Sequence, residues 1–311
     1  MENKEFMKQD SIFFRSVAIL MVVVAHYSDL IYIESGYKLW NILNKLGRYG
    51  VAIFFLVSGY GVAKSIKQKK LNYIFLFRRI KTVYFPFICM QILALIFIGM
   101  PSDNMTIKNW IFYFLGIDYW YIIVIFSLYC LFYISMKYIK RNQELGLFIL
   151  VTGFNILLAL MECDEWWYLT NYVFCLGVYL AFHQCSERKR SLLITILCFA
   201  GFVGSSIVYP KLDGVILHDF FKIIAALCFA GFVWFAYVLF PFHINLEPLN
   251  KLGECSLYIY VLHVQAISFL KLHNLTSLMS AVLLSLIIVM ILAIIFQRLF
   301  TISAVYNFLK K

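Results

Sequence analysis

The sequence predicts an all-α fold, a polytopic transmembrane helical bundle of about ten helices with both termini cytoplasmic. Three observations predict it. Of the 311 residues, 63% are hydrophobic, and mean hydropathy is +0.85; no water-soluble core of this size needs so much apolar surface. The apolar residues form long runs separated by short polar stretches. The basic residues are divided unevenly between alternate loops, the mark of a threaded membrane protein.

Ten candidate spans follow from hydropathy: 11–33, 46–65, 72–99, 108–137, 146–161, 168–185, 191–209, 218–241, 252–271 and 276–302. The fifth is short, so nine or ten is the expected number. With the N-terminus inside, 20 of the 27 Lys and Arg residues fall on the cytoplasmic side and 7 outside, as the positive-inside bias requires. This places the chain as a multi-pass protein of the cell membrane, the bacterial cytoplasmic membrane in the first instance. The net charge of +11 would suggest nucleic acid in a soluble protein; here it reflects inner loops facing anionic lipid, so the expected partner is the bilayer and no nucleic acid. The first apolar run lacks a small-residue cleavage pattern and further spans follow it, so it is not a cleavable signal. No polar stretch is long enough for a soluble domain, and residues 1–311 are expected to form a single membrane-embedded domain. The eight cysteines (89, 130, 163, 175, 185, 198, 228 and 255) are widely spaced and mostly within apolar runs. They read as small core residues, and no metal site is expected.

The first span carries Arg15 and His26. Eleven residues of helix separate them by about 16 Å, and eleven steps of about 100° return to nearly the same face. With Arg15 at the inner interface, His26 lies near the midplane of a core about 30 Å thick. An ionisable group at that depth is a functional candidate. A neutral histidine bonded to a neighbouring helix is the plain alternative, and the arginine in register favours function. A second intramembrane histidine, His263, lies about 15 Å into the ninth span.

Three further stretches stand out. In the second span Ser58 and Gly59 allow a helix or a ligand to approach the backbone closely. From Lys64 to Lys81 run seven positive charges and no acidic residue; the stretch serves topology, or forms an anion site in which Arg78 and Arg79 fork onto phosphate oxygens. Trp120 and Tyr121 fit an interfacial aromatic belt. Glu165 beside Trp166 fits either a solvated external loop or a sugar-facing surface, where indoles stack on the ring and a carboxylate meets hydroxyls.

In this order the stretches resemble the acyltransferase-3 family of integral membrane acyltransferases. The resemblance rests on Arg15 and His26 at their spacing, on Phe54, Phe55, Ser58 and Gly59, on Arg78 and Arg79 before Pro86, and on Trp120 and Tyr121. It is completed by Leu252, Gly253, Ser256, Tyr260 and His263. Each motif is weak and the ordered set is specific. Lys81 stands where an arginine is more usual, and Leu257 replaces an aromatic residue.

The resemblance implies transfer of an acyl group, acetyl foremost, from cytoplasmic acyl-CoA to a hydroxyl of an extracytoplasmic or lipid-linked glycan. Acyl-CoA is then a co-substrate, and no cofactor is permanently bound. His26 is the general base or an acylated relay, with Arg15 stabilising charge or binding the donor. Arg78, Arg79 and Lys81, with Ser58 and Gly59, belong to the donor site. Trp120, Tyr121, Glu165, Trp166 and His263 fall to the acceptor or to a supporting role. Some members add an extracytoplasmic hydrolase-like domain; this chain, ending at residue 311, is expected to act alone or with a partner. The competing class is a transporter or flippase using the histidine for proton coupling, against which stand the lack of an inverted repeat and of paired interrupted helices. Release of free CoA thiol separates the two.

Overall fold

A computed structural model describes residues 8–35, 38–68, 71–97, 106–183, 188–240 and 247–301. Among them there are helices, turns and no strand, as expected where the surroundings offer the backbone no hydrogen-bond partner other than itself. Eight helical stretches are long and apolar enough to cross a membrane, or nine if a bent pair counts as one span. The chain is therefore a multi-pass, all-α membrane protein. The number differs from ten at the sixth expected span, which folds as an 11-residue helix, Tyr172–Phe182. At about 1.5 Å per residue this helix is too short to cross alone. The fifth span is full length, Gln143–Leu160.

The described helices are α1 (Lys8–Ser35), α2 (Lys38–Asn44), α3 (Leu46–Gln68), α4 (Ile74–Arg79), α5 (Phe85–Phe97), α6 (Ile107–Leu115), α7 (Trp120–Tyr138), α8 (Gln143–Leu160), α9 (Tyr172–Phe182), α10 (Arg188–Val208), α11 (Val215–Leu239), α12 (Glu247–Glu254), α13 (Ser256–Leu272) and α14 (Met279–Thr301). They fall into two compact units. One comprises Met1–Phe14, Arg48–Leu71 and Cys130–Asn245; the other comprises Arg15–Gly47, Asn72–Tyr129 and Leu246–Lys311.

In the first unit small residues set the helix spacing. Gly59 on α3 and Gly177 on α9 face each other so closely that a Cβ on Gly59 would collide with the Phe174 carbonyl, and one on Gly177 with the Leu56 carbonyl. Gly201 and Gly231 likewise receive the side chains of Cys228 and Cys198 where α10 pairs with α11. The seven described cysteines are free thiols; Cys185 lies outside the described residues. Asn171 Nδ2 donates to Asn155 Oδ1 at 2.8 Å, tying the start of α9 to α8 through a buried amide pair.

The second unit is built around α1. The Ser16 hydroxyl donates to the Leu249 carbonyl on α12. Tyr27 and Ser285 share a hydrogen bond of 3.0 Å to α14. On α13 Gln265 Nε2 donates to Gln91 Oε1 on α5 at 2.9 Å. Three interruptions occur that apolar patterning does not show. Gly116, at φ +84°, caps α6 in the left-handed region before a single 3₁₀ turn leads into α7. Between α12 and α13 the axis bends by 73°. Between α4 and α5, residues Ile80–Tyr84 form a π-helical turn. Pro86 lies just beyond it, and its ring and missing N–H work against the carbonyl of Thr82 four residues back, which accounts for the local widening.

Candidate active site

The second unit brings together residues from α1, α4, the π-turn after it, α7, α12 and α13 that are far apart in sequence. Its centre is a histidine pair. His26 Nδ1 lies 2.7 Å from His263 Nε2. The ring centroids are 4.9 Å apart and the planes 23° from parallel, so the rings meet edge to edge and nearly coplanar. His263 is 0% exposed, and its Nδ1 lies 3.0 Å from the Ile259 carbonyl oxygen one turn earlier on α13. His26, by contrast, keeps an exposed surface. Asp29, one turn further along α1, and Lys271 on α13 are the charged groups near it, and both are exposed.

From the pair an aromatic wall runs back towards Arg15. Tyr260 lies 5.6 Å from the His263 ring and 5.3 Å, edge-on, from Tyr121. Tyr121, Tyr129 and Glu254 are the ionisable neighbours of Arg15. Tyr129 is also the floor beneath Arg79, whose guanidinium carbon stands 5.1 Å above its ring and 5.3 Å from the ring of Phe75. Tyr129 thus lies beneath Arg79 and within electrostatic range of Arg15. Arg79 Nε is buried and has no hydrogen-bond partner among the described residues. An unsatisfied buried donor on a cation is costly and is the kind of group that an anion would satisfy.

The π-turn explains a third cation. It carries Lys81, which is only 8% exposed and holds its ammonium 4.5 Å from the Phe77 ring. The adjacent Arg78 is exposed, so the basic pair is not equivalent: the structure groups Arg79 with the Tyr129 cluster and leaves Arg78 at the surface. Trp120 packs edge-on against Tyr121, with ring centroids 6.3 Å apart.

The model of the acyltransferase-3 family, described as an acyltransferase domain, matches residues 10–298. The chain belongs to the acyltransferase-3 family. It is a membrane acyltransferase. No curated protein and no solved structure matches it.

Other expected site residues of this acyltransferase lie in the first unit. Ser58 is half-buried, and the face of Gly59 is filled by the α9 backbone at Phe174. Gly59 is thus committed to helix packing, which corrects its expected place against a bound donor. Glu165 is held by the Lys222 ammonium and lies 3.7 Å from Arg48. Its charge is engaged by two cations, a pairing that neither the solvated-loop nor the sugar-facing reading of the sequence included. Trp166 beside it is half exposed. Glu165, His218 and Asp219 do bring three ligand-type atoms within 4.8 Å of one another. Both carboxylates, however, already have donors from the chain: Lys222 on Glu165, and the Tyr168 hydroxyl on Asp219 at 3.0 Å. Burial and the Asp219 bond push the Tyr168 phenol up to about 12, so it remains a donor.

Sequence reasoning missed three participants: Tyr129, Glu254 and the pairing of His263 with His26. The last had a signal. His26 lies eleven residues beyond Arg15 at the inner interface and His263 eleven residues into the ninth span from the same expected side, and similar depth is a condition for contact.

Proposed function

We propose that this acyltransferase moves an acyl group, acetyl foremost, from cytoplasmic acyl-CoA to a hydroxyl of an extracytoplasmic or lipid-linked glycan, acting in the bacterial cytoplasmic membrane. One observation carries the reading. An accessible imidazole stands on the same helix face as an arginine three turns away, and that arginine shares Tyr129 with a second arginine whose buried Nε lacks a partner.

Arg79 and Lys81 hold the donor phosphates, with Arg15 towards the thioester end. Two or three cations partly shielded from water suit a multiply charged anion, and guanidinium forks orient it. His26 acts at the far end. It takes the proton from the acceptor hydroxyl as the oxygen attacks the thioester carbonyl. The new C–O ester bond forms, the C–S bond breaks, and the leaving thiolate takes the proton back from His26 to give free CoA thiol. Atoms and charge balance without a further reactant. Asp29 beside His26 offers an acceptor for a neighbouring hydroxyl and steadies the transient imidazolium.

The test is CoA release by the purified full chain in lipid, with acetyl-CoA and a glycan acceptor. His26→Gln and His26→Asn keep a polar side chain but take no proton at neutral pH. Loss of about 10²-fold or more with the protein still inserted supports a base or nucleophile at this position. Activity close to wild type in a folded His26→Gln protein overturns it.

A further inference from the structure

The two members of the histidine pair play different parts, and the hydrogen bonds say which. A carbonyl oxygen only accepts. The 3.0 Å contact with Ile259 therefore places a proton on His263 Nδ1. In a neutral ring Nε2 is then a lone pair, so it accepts, and the group 2.7 Å away must donate. That group is His26 Nδ1. The remaining nitrogen of His26, Nε2, is left unprotonated on the ring that keeps an exposed surface. The reverse pattern requires both nitrogens of His263 to be protonated. That would put a full charge on a side chain with 0% exposure and, among the described residues, no carboxylate paired with it, at a large desolvation cost.

We propose that His263 is a positioning residue that locks His26 into the Nδ1–H tautomer, presenting a basic Nε2 to the acceptor hydroxyl. The inference rests on the reading of His26 as the base and assigns the residue that sets its tautomer. An unconstrained imidazole prefers the opposite tautomer, in which Nε2 carries the proton and cannot accept one. The lock is anchored in backbone: Ile259 and His263 are one turn apart on α13, so the accepting nitrogen is aimed by the helix itself. Tyr260, 5.6 Å from the His263 ring, and the in-line contact with the nearly coplanar His26 ring leave it little freedom to turn. The pair is also a dead end for protons. A proton passed to His263 Nε2 has no exit, because the other nitrogen already donates to a carbonyl. The proton taken from the acceptor thus stays on His26 until the thiolate collects it.

The experiment is nitrogen NMR of the full chain, labelled with ¹⁵N-histidine, in lipid at neutral pH. His26→Gln identifies the His26 signals by subtraction. Wild type is expected to show a protonated Nδ1 and a bare Nε2 at His26. His263→Phe keeps a planar ring and removes the acceptor; His26 should revert to Nε2–H, and kcat should fall by about 10²-fold with the KM for acetyl-CoA changed less than about twofold. His263→Asn returns an acceptor oxygen and should recover part of both the tautomer and the rate. A wild-type spectrum with Nε2–H at His26, or an unchanged tautomer in folded His263→Phe, overturns the proposal. The wild-type spectrum decides even if the variants fail to fold. Failure of the catalytic reading looks different: His26→Gln stays active while the tautomer is as described.

Discussion

Arg79 stands over Tyr129, its guanidinium carbon 5.1 Å from the ring centroid, and Tyr129 is at the same time a neighbour of Arg15. One aromatic ring thus joins the start of the first span to the helix that follows the basic stretch. The cation gains from the ring face, while its Nε keeps an unspent donor.

From this relationship, Arg79→Ala should raise the Kd for acetyl-CoA by about tenfold or more, on the scale of a lost charge-assisted hydrogen bond. Arg79→Lys should recover only part, because a point charge replaces a fork. Arg78→Ala, at an exposed position, should change the Kd by less than about twofold. Isothermal titration of the protein in nanodiscs distinguishes them. Equal effects of Arg78 and Arg79 would return the basic stretch to topology alone.

The glycine crossing in the first unit makes a different demand. Gly59→Ala or Gly177→Ala places a methyl group against a backbone carbonyl, not against a flexible side chain. α3 and α9 must then separate. Each substitution should cost about 1–3 kcal/mol and appear as a lower thermal midpoint or loss of folded protein. Gly61→Ala, on the same helix with open space around it, is the matched control and should be near neutral. Intact stability in Gly59→Ala would mean the helices do not pack this closely.

Lys222 is 5% exposed on α11 and is balanced by Glu165. Glu165→Gln leaves that ammonium short of a counter-charge and should destabilise the protein by about 1–3 kcal/mol, since breaking a buried pair costs more than the pair contributes. The double variant Glu165→Gln, Lys222→Met should regain much of the loss. If Glu165 instead serves the acceptor, its variants lose activity at normal stability, and the double variant rescues nothing. Thermal unfolding followed beside CoA release separates these outcomes.

Helix α8 offers a test of sidedness. Its 18 residues span about 27 Å, close to a bilayer core. Arg141 and Asp164 lie in exposed turns beyond its two ends. In a Cys163→Ser background, an impermeant thiol reagent applied to intact cells should label Asp164→Cys and spare Arg141→Cys until the membrane is opened. The reverse pattern would invert the threading, and with it the assignment of donor and acceptor sides.

Much of the site was legible before any tertiary contact was known. The register of Arg15 and His26 is a property of one helix. The depth of His263 comes from counting along another. Arg79 was marked by its charge at the head of an apolar run. What was not legible depends on neighbours. Adjacent in sequence, Arg78 and Arg79 look alike, yet one is exposed and the other lies between Phe75 and Tyr129. The π-turn that carries Lys81 hinges on how Pro86 is accommodated. The partner of Glu165 could not be read because Lys222 is 57 residues away in the chain.

The sequence by itself determined that this is an all-α membrane protein and that a histidine and an arginine share one face of its first helix. Both follow from local rules: a backbone without water must bond to itself, and a helix repeats every 3.6 residues. The tertiary structure decided that His26 meets His263, that Arg79 stands over Tyr129, and that Gly59 serves packing. In a chain so uniformly apolar, the surface facing lipid and the surface facing another helix carry the same kinds of residue. Hydrophobicity therefore cannot say which faces pair; close-packing of small residues and a few buried polar contacts settle it.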